Sequence, residues 1–321
     1  MDDKNLSLNN FFIYEKLNRN SLKRSDSTWI KNSLCGNEAF IIPVYKQKFP
    51  ISKEDSGEVA FFRPELFSSI LALQDNFIYL GEVEGENYFC VKMNEEDIKK
   101  NLLAAYGEFM ELRGIAPLLS RKDAALLAYA RAMIIWHDNN RYCGVCGSST
   151  VSGEAGHKLI CSNKQCGTEH FPRTDPAIIV LVSIGDKCLL ARQAKWVPRQ
   201  YATIAGFVEP GESLEQAVAR EVHEETGVEL DKIRYLSSQP WPFPSAIMLG
   251  FRATAKSMNI TLHDNELEDA RWFTRKEIIS GLKENSLKLP FSVSISFRLV
   301  ESWFNEGSEG NLSDIISSIA K

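Results

Sequence analysis

The apolar positions of the chain change their period several times, and those changes divide it. Residues 1–30 are polar, rich in Asn, Ser and Lys, and predict a loosely held start. From about 38 to 93 apolar residues come in short β-like bursts: Phe40-Ile41-Ile42-Pro43-Val44-Tyr45, then Val59-Ala60-Phe61-Phe62, then Phe77-Ile78-Tyr79-Leu80. The last leads through Gly85-Glu86-Asn87 into Tyr88-Phe89-Cys90-Val91, which reads as a hairpin. Asn94 then reads as the N-cap of a helix near 95–112, with Leu102, Leu103, Tyr106, Phe109 and Met110 as its apolar stripe. Ser120, with Asp123 at capping-box spacing, opens a second helix near 121–138. Ala124, Leu127, Ala128, Ala130 and Arg131 make that segment rich in good helix formers.

From about 172 the pattern turns to strands. Ala177-Ile178-Ile179-Val180-Leu181-Val182 is a continuous apolar run, suited to a strand covered on both faces. Gly185-Asp186 turns into Cys188-Leu189-Leu190-Ala191-Arg192. Further strands are predicted at 233–236, 247–251 and 270–273, and a last helix near 292–304 follows Pro290. This alternation predicts a mixed sheet with helices on its faces.

Between these strands lies residues 206–228, the stretch with the most chemistry. Ser213 reads as an N-cap, Gln216 completes a capping box, and Gly227 falls where a helix ends. Leu214, Ala217, Val218 and Val222 form the buried stripe. Glu221, Glu224 and Glu225 stand at i, i+3 and i+4, on one side of the helix. Glu212 precedes the helix in a glycine-bracketed loop. Carboxylates held this close repel one another unless a cation sits among them. Oxygen donors without thiol or imidazole suit Mg²⁺ or Mn²⁺.

The seven cysteines add a second centre. Cys143-Gly144-Val145-Cys146 and Cys161-Ser162-Asn163-Lys164-Gln165-Cys166 are two close pairs joined by a loop, the spacing of a structural zinc ribbon. Four protein thiolates leave no open coordination position, so Zn²⁺ here would be structural. Cys35, Cys90 and Cys188 are expected to be ordinary buried residues. His137, at a helix end, reads as a capping or surface histidine.

The chain has 321 residues, 44% hydrophobic and 25% charged, which suits a globular protein of about two domains. Its net charge of −5 argues against a protein that grips nucleic acid through a broadly basic surface. No secretory signal, membrane-length apolar run or peroxisomal ending is visible, so a cytoplasmic location without membrane attachment is expected.

Gly206, Glu212, Arg220-Glu221-Val222, Glu224-Glu225 and Gly227-Val228 resemble a complete Nudix box, the signature of hydrolases that cut diphosphates joined to another moiety. Ser238-Gln239-Pro240-Trp241-Pro242-Phe243-Pro244 resembles the motif of the NADH pyrophosphatase family within the Nudix hydrolases. That motif ordinarily continues with any residue and then Ser, and here Ser245 and Ala246 follow. Leu112–Ser120, running on to Trp136-His137, resembles the segment before the zinc ribbon of that family, so the likeness covers roughly 112–304.

The resemblance implies an α+β chain: a Nudix α/β/α sandwich with a mixed sheet, preceded by a zinc ribbon and a smaller mixed N-terminal domain. The expected divisions are 1–119, 120–172 (helix and ribbon), 173–305 (Nudix) and 306–321 (tail). It implies hydrolysis of NAD(H) to nicotinamide mononucleotide and AMP. The metals would sit on Glu221, Glu224, Glu225 and Glu266, with Glu268 competing for the last place. Either Glu224 or Glu225 would serve as catalytic base. Phe207 and Trp241 would line a nicotinamide-side pocket. Gln239 would bond substrate or close a turn. Glu212 and Arg220 would orient the box. A homodimer is also implied. Rival readings are removal of an NAD cap from RNA, hydrolysis of ADP-ribose or a dinucleoside polyphosphate, and a nucleotide-binding module without turnover.

Overall fold

The computed structural model describes residues 10–52, 58–67, 76–100, 103–263 and 266–319. Met1-Asp2-Asp3-Lys4, Leu102 and Asn265 lie outside the described residues. Among the described residues the contacts fall into two bodies, one within 12–174 together with 241–245, the other of residues 10–11, 175–240 and those of 246–319.

The first body carries a five-stranded sheet of β1 (Ala39–Tyr45), β2 (Lys48–Ser52), β3 (Phe77–Val83), β4 (Glu86–Met93) and β5 (Gly107–Glu111), ordered β3-β4-β1-β2-β5. β1 runs parallel to β4, while β1–β2, β2–β5 and β3–β4 are antiparallel. Lys46 and Gln47 join β1 to β2 with φ of 48° and 62°, the left-handed pair of a two-residue hairpin turn. The polar start is better built than its composition suggests. Asp26 caps a helix at Ser27–Leu34, and Phe12 and Leu34 are buried. Of the three expected strands, the stretch 59–62 makes only isolated bridges, Val59 to Ile51 and Phe62 to Ile41.

The helix expected near 95–112 is not continuous. Asn94 does cap it, its Oδ1 accepting from Asp97 N at 2.9 Å. The helical segments are Glu95–Lys100 and Leu103–Tyr106, and from Gly107 the chain is β5. Gly107 explains the switch. A Cβ there would stand 2.3 Å from the Ile51 carbonyl oxygen, so only glycine lets the chain dock edge-on to β2. Pairing with β2 then outweighs the helical spacing of Phe109 and Met110, which lie opposite Pro50 and Phe49.

The second expected helix forms at Arg121–Asn139, Ser120 Oγ accepting from Asp123 N at 3.1 Å. It packs on β1, β3 and β4. Beyond it, β6 (Thr150–Gly153), β7 (Lys158–Cys161) and β8 (Glu169–His170) form a small antiparallel sheet. His137 Nε2 meets the Gly156 carbonyl at 2.7 Å, and buried His157 Nε2 meets the Tyr79 carbonyl at 2.7 Å. His137 is thus half-buried and bonds across to the turn at Gly156, while Asn140 caps the helix. Burial lowers the pKa of His157 to about 4, keeping the ring neutral.

The second body is built on β9 (Asp175–Ile184), β10 (Lys187–Arg192), β11 (Ile204–Phe207), β12 (Leu230–Trp241, its last residue in the first body), β13 (Ala246–Ala255) and β14 (Asp269–Thr274). The order is β12-β13-β9-β10-β14, with β11 also on β9. β13 is parallel to β9 and β10 antiparallel to it, so the sheet is mixed. Both faces of β9 are covered, as its apolar run predicts. Ile178, Val180 and Val182 pack with Ala217, Val218 and Val222 of the helix Leu214–Thr226. Ile179 and Leu181 pack with Ile295, Leu299, Val300, Trp303 and Phe304 of the helix Ile295–Phe304. Each buried Ile, Leu, Val or Phe among them stabilises by roughly 2 kcal/mol. No described helix is long and apolar enough to cross a membrane.

Two helices of this body have no counterpart in the apolar pattern described above, Arg275–Lys283 and Leu312–Ile319. The second lies in the stretch expected to be a tail, yet Leu312 is fully buried in the same core as Trp303 and Phe304. Leu312→Ala should therefore destabilise the protein by about 2–4 kcal/mol in urea unfolding, as for a core leucine; a change below about 0.5 kcal/mol would mean the segment is only an appendage.

Candidate active site and metal centre

The box folds as its residue types dictate. Ser213 Oγ accepts from Gln216 N at 3.2 Å, Gln216 Oε1 accepts from Ser213 N at 2.9 Å, and Gly227 ends the helix at φ 67°. β11 runs beside the helix and brings Gly206 against it. A Cβ on Gly206 would stand 1.9 Å from the Glu221 carboxyl carbon, so the glycine of the box is the space that the carboxylate occupies.

Arg220 organises what surrounds this contact. Its Nε and Nη2 donate to Glu212 Oε1 and Oε2 at 2.8 and 3.0 Å, a bidentate pair. Nη1 donates to Glu221 Oε1 at 2.9 Å and to Glu224 Oε2 at 3.0 Å, and Nη2 also reaches the Phe207 carbonyl at 2.9 Å. One guanidinium thus joins the loop, the strand end and two helix carboxylates. Glu212 also accepts from Glu209 N at 3.1 Å, which folds the loop back on itself. The Arg220 guanidinium, followed by that backbone donor, holds the Glu212 carboxyl below its ordinary range. Glu221 moves the other way. Burial pushes its pKa up and the nearby charges of Glu224 and Glu266 add to the rise, outweighing the ion pair with Arg220.

Glu225 is 4% exposed and lies inside, whereas the Glu224 side chain is 54% exposed. Glu266 accepts from Gln193 Nε2 at 2.9 Å and acts electrostatically on Glu221. Glu268 is committed to an ion pair with Arg192. Of the two competing glutamates, Glu266 is the one whose charge reaches the box. Gln193 and Arg192, which make this distinction, carry no signal in the sequence. The Nudix domain implies a divalent cation, for which carboxylates are suitable hard donors, but among the described residues only the four cysteines stand close enough together to hold a metal ion.

Phe207 is exposed, at the end of β11. Gln239 is fully buried and its amide is already used. Nε2 donates to the Phe11 and Val293 carbonyls at 3.1 and 2.8 Å, and Oε1 accepts from Ile295 N at 2.8 Å. The expectation that it bonds substrate is therefore corrected: a side chain with no polar atom left over serves the core. Trp241 belongs to the first body, where its ring packs against Phe12 at 6.0 Å and Phe243 at 5.1 Å.

The cysteines come together as their spacing predicts. The sulfurs of Cys143, Cys146, Cys161 and Cys166 all lie within 4.8 Å of one another. Cys146 and Cys161 are 3.4 Å apart, Cys143 and Cys166 3.9 Å. Four thiolates each about 2.3 Å from one Zn²⁺ stand about 3.8 Å apart, so the set fits a tetrahedral zinc. Backbone N–H groups of Val145 and Cys146 lower the Cys143 pKa to about 6, favouring the thiolate. Cys90 and Cys188 are buried, as expected, but Cys35 is exposed at the end of its helix, a correction.

Purified protein should hold one zinc per chain by metal analysis, and Cys146→Ser should lose it together with the folded ribbon. Arg220→Lys should cost nearly as much stability as Arg220→Ala, on the order of 2–3 kcal/mol by chemical unfolding, because a single ammonium cannot serve four acceptors at once. Full rescue by lysine would show that charge alone matters there.

Comparison with known proteins places these features together. Residues 172–291 match the NUDIX domain, 34–136 the NADH pyrophosphatase-like rudimentary NUDIX domain, and 138–171 the NADH pyrophosphatase zinc ribbon domain. The chain is 32% identical over 341 residues to NAD-capped RNA hydrolase NUDT12 of Homo sapiens, covering 92% of this chain and 73% of that protein. It is 40% identical over 237 residues to NAD-capped RNA hydrolase NudC of Mycobacterium bovis, covering 70% of this chain and 74% of that protein. A NUDIX hydrolase structure from Nitrosomonas europaea aligns with TM-score 0.43 at 23% identity, over 53% of this chain and 94% of that one. With all three domains matched in order and most of the chain aligned to such relatives, this protein belongs to the NADH pyrophosphatase family of the Nudix hydrolases.

Proposed function

We propose that the chain hydrolyses the diphosphate of NADH and NAD⁺ to nicotinamide mononucleotide and AMP, using Mg²⁺ or Mn²⁺. The carrying observation is the carboxylate set that Arg220 arranges beside Glu266, in a chain with the domains of an NADH pyrophosphatase. Glu221, Glu224, Glu225 and Glu266 would hold the cation. Bound there, it supplies charge neutralisation for the diphosphate and a water acidic enough to attack. The water oxygen bonds to one phosphorus in line, the bridging P–O bond breaks, and the other phosphate leaves with the bridging oxygen. Glu224 or Glu225 takes the proton from the water. Arg220 and Glu212 keep these carboxylates in register and touch no substrate. Phe207, exposed at the end of β11, offers an aromatic face on which a base or the nicotinamide ring can stack.

A second reading, removal of an NAD cap from RNA, is the same chemistry on a larger molecule and is favoured by the names of the relatives. A cytoplasmic homodimer completes the proposal.

With Mg²⁺ or Mn²⁺, the purified protein should release AMP from NADH. Glu225→Gln and Glu224→Gln should each be assayed. The variant that removes the base should lose about a hundredfold or more in kcat with its melting temperature kept. NADH, NAD-capped RNA and ADP-ribose belong in one experiment. Release of AMP from ADP-ribose alone would overturn the assignment, and so would no release from any of them.

A further inference from the structure

The cysteine cluster of the first body gathers more negative charge than one zinc ion cancels. Four thiolates around a divalent cation leave about two negative charges in excess. Two of the four residues, Cys143 and Cys161, are buried, so water screens that excess poorly. Thiolates in such a setting are kept by hydrogen-bond donors outside the coordination sphere, which oppose protonation and loss of the metal. Backbone N–H groups supply part of this at Cys143. The rest must come from side chains.

One strand face brings two such side chains to the sulfurs. β7 and β8 pair antiparallel, with Leu159 opposite His170 and Ile160 opposite Glu169. The ladder runs on through Cys161 N, which donates to the Thr168 carbonyl at 2.9 Å and so sets Thr168 opposite Cys161. Side chains alternate along a strand, so Cys161, Thr168 and His170 share one face and Glu169 takes the other. Burial follows the alternation, with Thr168 and His170 half-buried and Glu169 exposed. Thr168 Oγ1 lies 3.1 Å from Cys166 Sγ. A metal-bound thiolate has no proton to give, so the hydroxyl is the donor in that pair. At Cys143 the backbone N–H groups of Val145 and Cys146 come first in favouring the thiolate, and among side chains His170 comes first. His170 Nε2 is buried and has no hydrogen-bond partner among the described residues. A ring nitrogen shut away from water needs such a partner. The Cys143 and Cys166 sulfurs stand 3.9 Å apart, so two side chains one strand repeat apart can serve both.

We propose that Thr168 and His170 are paired donors to the Cys166 and Cys143 thiolates, and that this pair sets how tightly the ribbon keeps its zinc. Neither is a ligand. Each draws charge from a sulfur and fixes its direction without filling a coordination position. The proposal rests on the ribbon holding Zn²⁺ and is independent of the reaction assigned to the second body.

The test is competition for zinc between the purified full-length protein and a chromophoric chelator, at a temperature where every variant is folded. Thr168→Val keeps the shape without the hydroxyl, and His170→Phe keeps a ring without an N–H. Each should lose about tenfold or more in zinc affinity. Thr168→Ser and His170→Asn retain a donor and should stay within about threefold of wild type. Loading with Co²⁺ separates a donor from a ligand: the sulfur-to-metal charge-transfer band should keep its four-thiolate intensity in all four variants. A band altered in His170→Phe would make His170 a ligand and overturn the proposal. Zinc binding as in wild type by the Val and Phe variants would overturn it too, whatever happens to their melting temperatures, because a packing role moves stability and leaves affinity alone. Equal losses in the Ser and Asn variants would reject it as well, since the donor would then not be what matters. Should His170→Phe fail to fold, loss in Thr168→Val with retention in His170→Asn supports the proposal, and wild-type affinity in Thr168→Val rejects it. Wild-type protein without zinc would remove the ribbon reading and this proposal together.

Discussion

Negative charge must be gathered without driving the structure apart, and Arg220 is what permits it. Its guanidinium binds Glu212, Glu221, Glu224 and the Phe207 carbonyl at once. Loop, strand and helix are thereby locked into one frame. The planar fork matters as much as the charge, because its donors diverge in fixed directions toward separate acceptors. Even so, the frame is undercompensated. Glu221 remains raised by burial and by its acidic neighbours. The Nudix domain implies a divalent cation, and carboxylates are the hard donors that such a cation takes.

The frame holds because its supports are rigid. The helix bearing the glutamates is fixed at both ends, by the Ser213–Gln216 capping box and by Gly227. Its apolar stripe of Ala217, Val218 and Val222 is locked into one core of the sheet. The opposite face of β9 is sealed by the C-terminal helices through Trp303, Phe304 and Leu312. Small box residues do steric work in this arrangement. Gly206 cedes its side-chain volume to the Glu221 carboxylate, which ties the strand's backbone to the chemistry.

The first body meets a different constraint, an aromatic segment with too few backbone donors to hold itself. It is fixed from outside, by Arg131 on the Pro242 carbonyl and by rings and guanidiniums packed on Trp241 and Phe243. The zinc ribbon region in the same body is tied to β3 of the five-stranded sheet by His157 on the Tyr79 carbonyl, and to the helix Arg121–Asn139 by His137 on the Gly156 carbonyl. Neither histidine is a metal ligand; each satisfies a polar group that burial would otherwise leave costly.

The sequence by itself determined whatever depends on local order. The capping box, the glutamate face at i, i+3 and i+4, the two-sided apolar strand and the paired cysteines each follow from neighbours a few residues apart, where spacing and geometry are nearly the same thing. Tertiary structure decided the rest. It broke the helical pattern of 95–112, because edge pairing of β5 with β2 is a contact across more than fifty residues that no local period encodes. It moved Gln239 into the core, because its three partners come from Phe11, Val293 and Ile295. It separated Glu266 from Glu268 through Gln193 and Arg192, and it set Arg113 over Trp241. In each case the deciding partner lies far along the chain, and only folding brings its charge or its hydrogen bond within range.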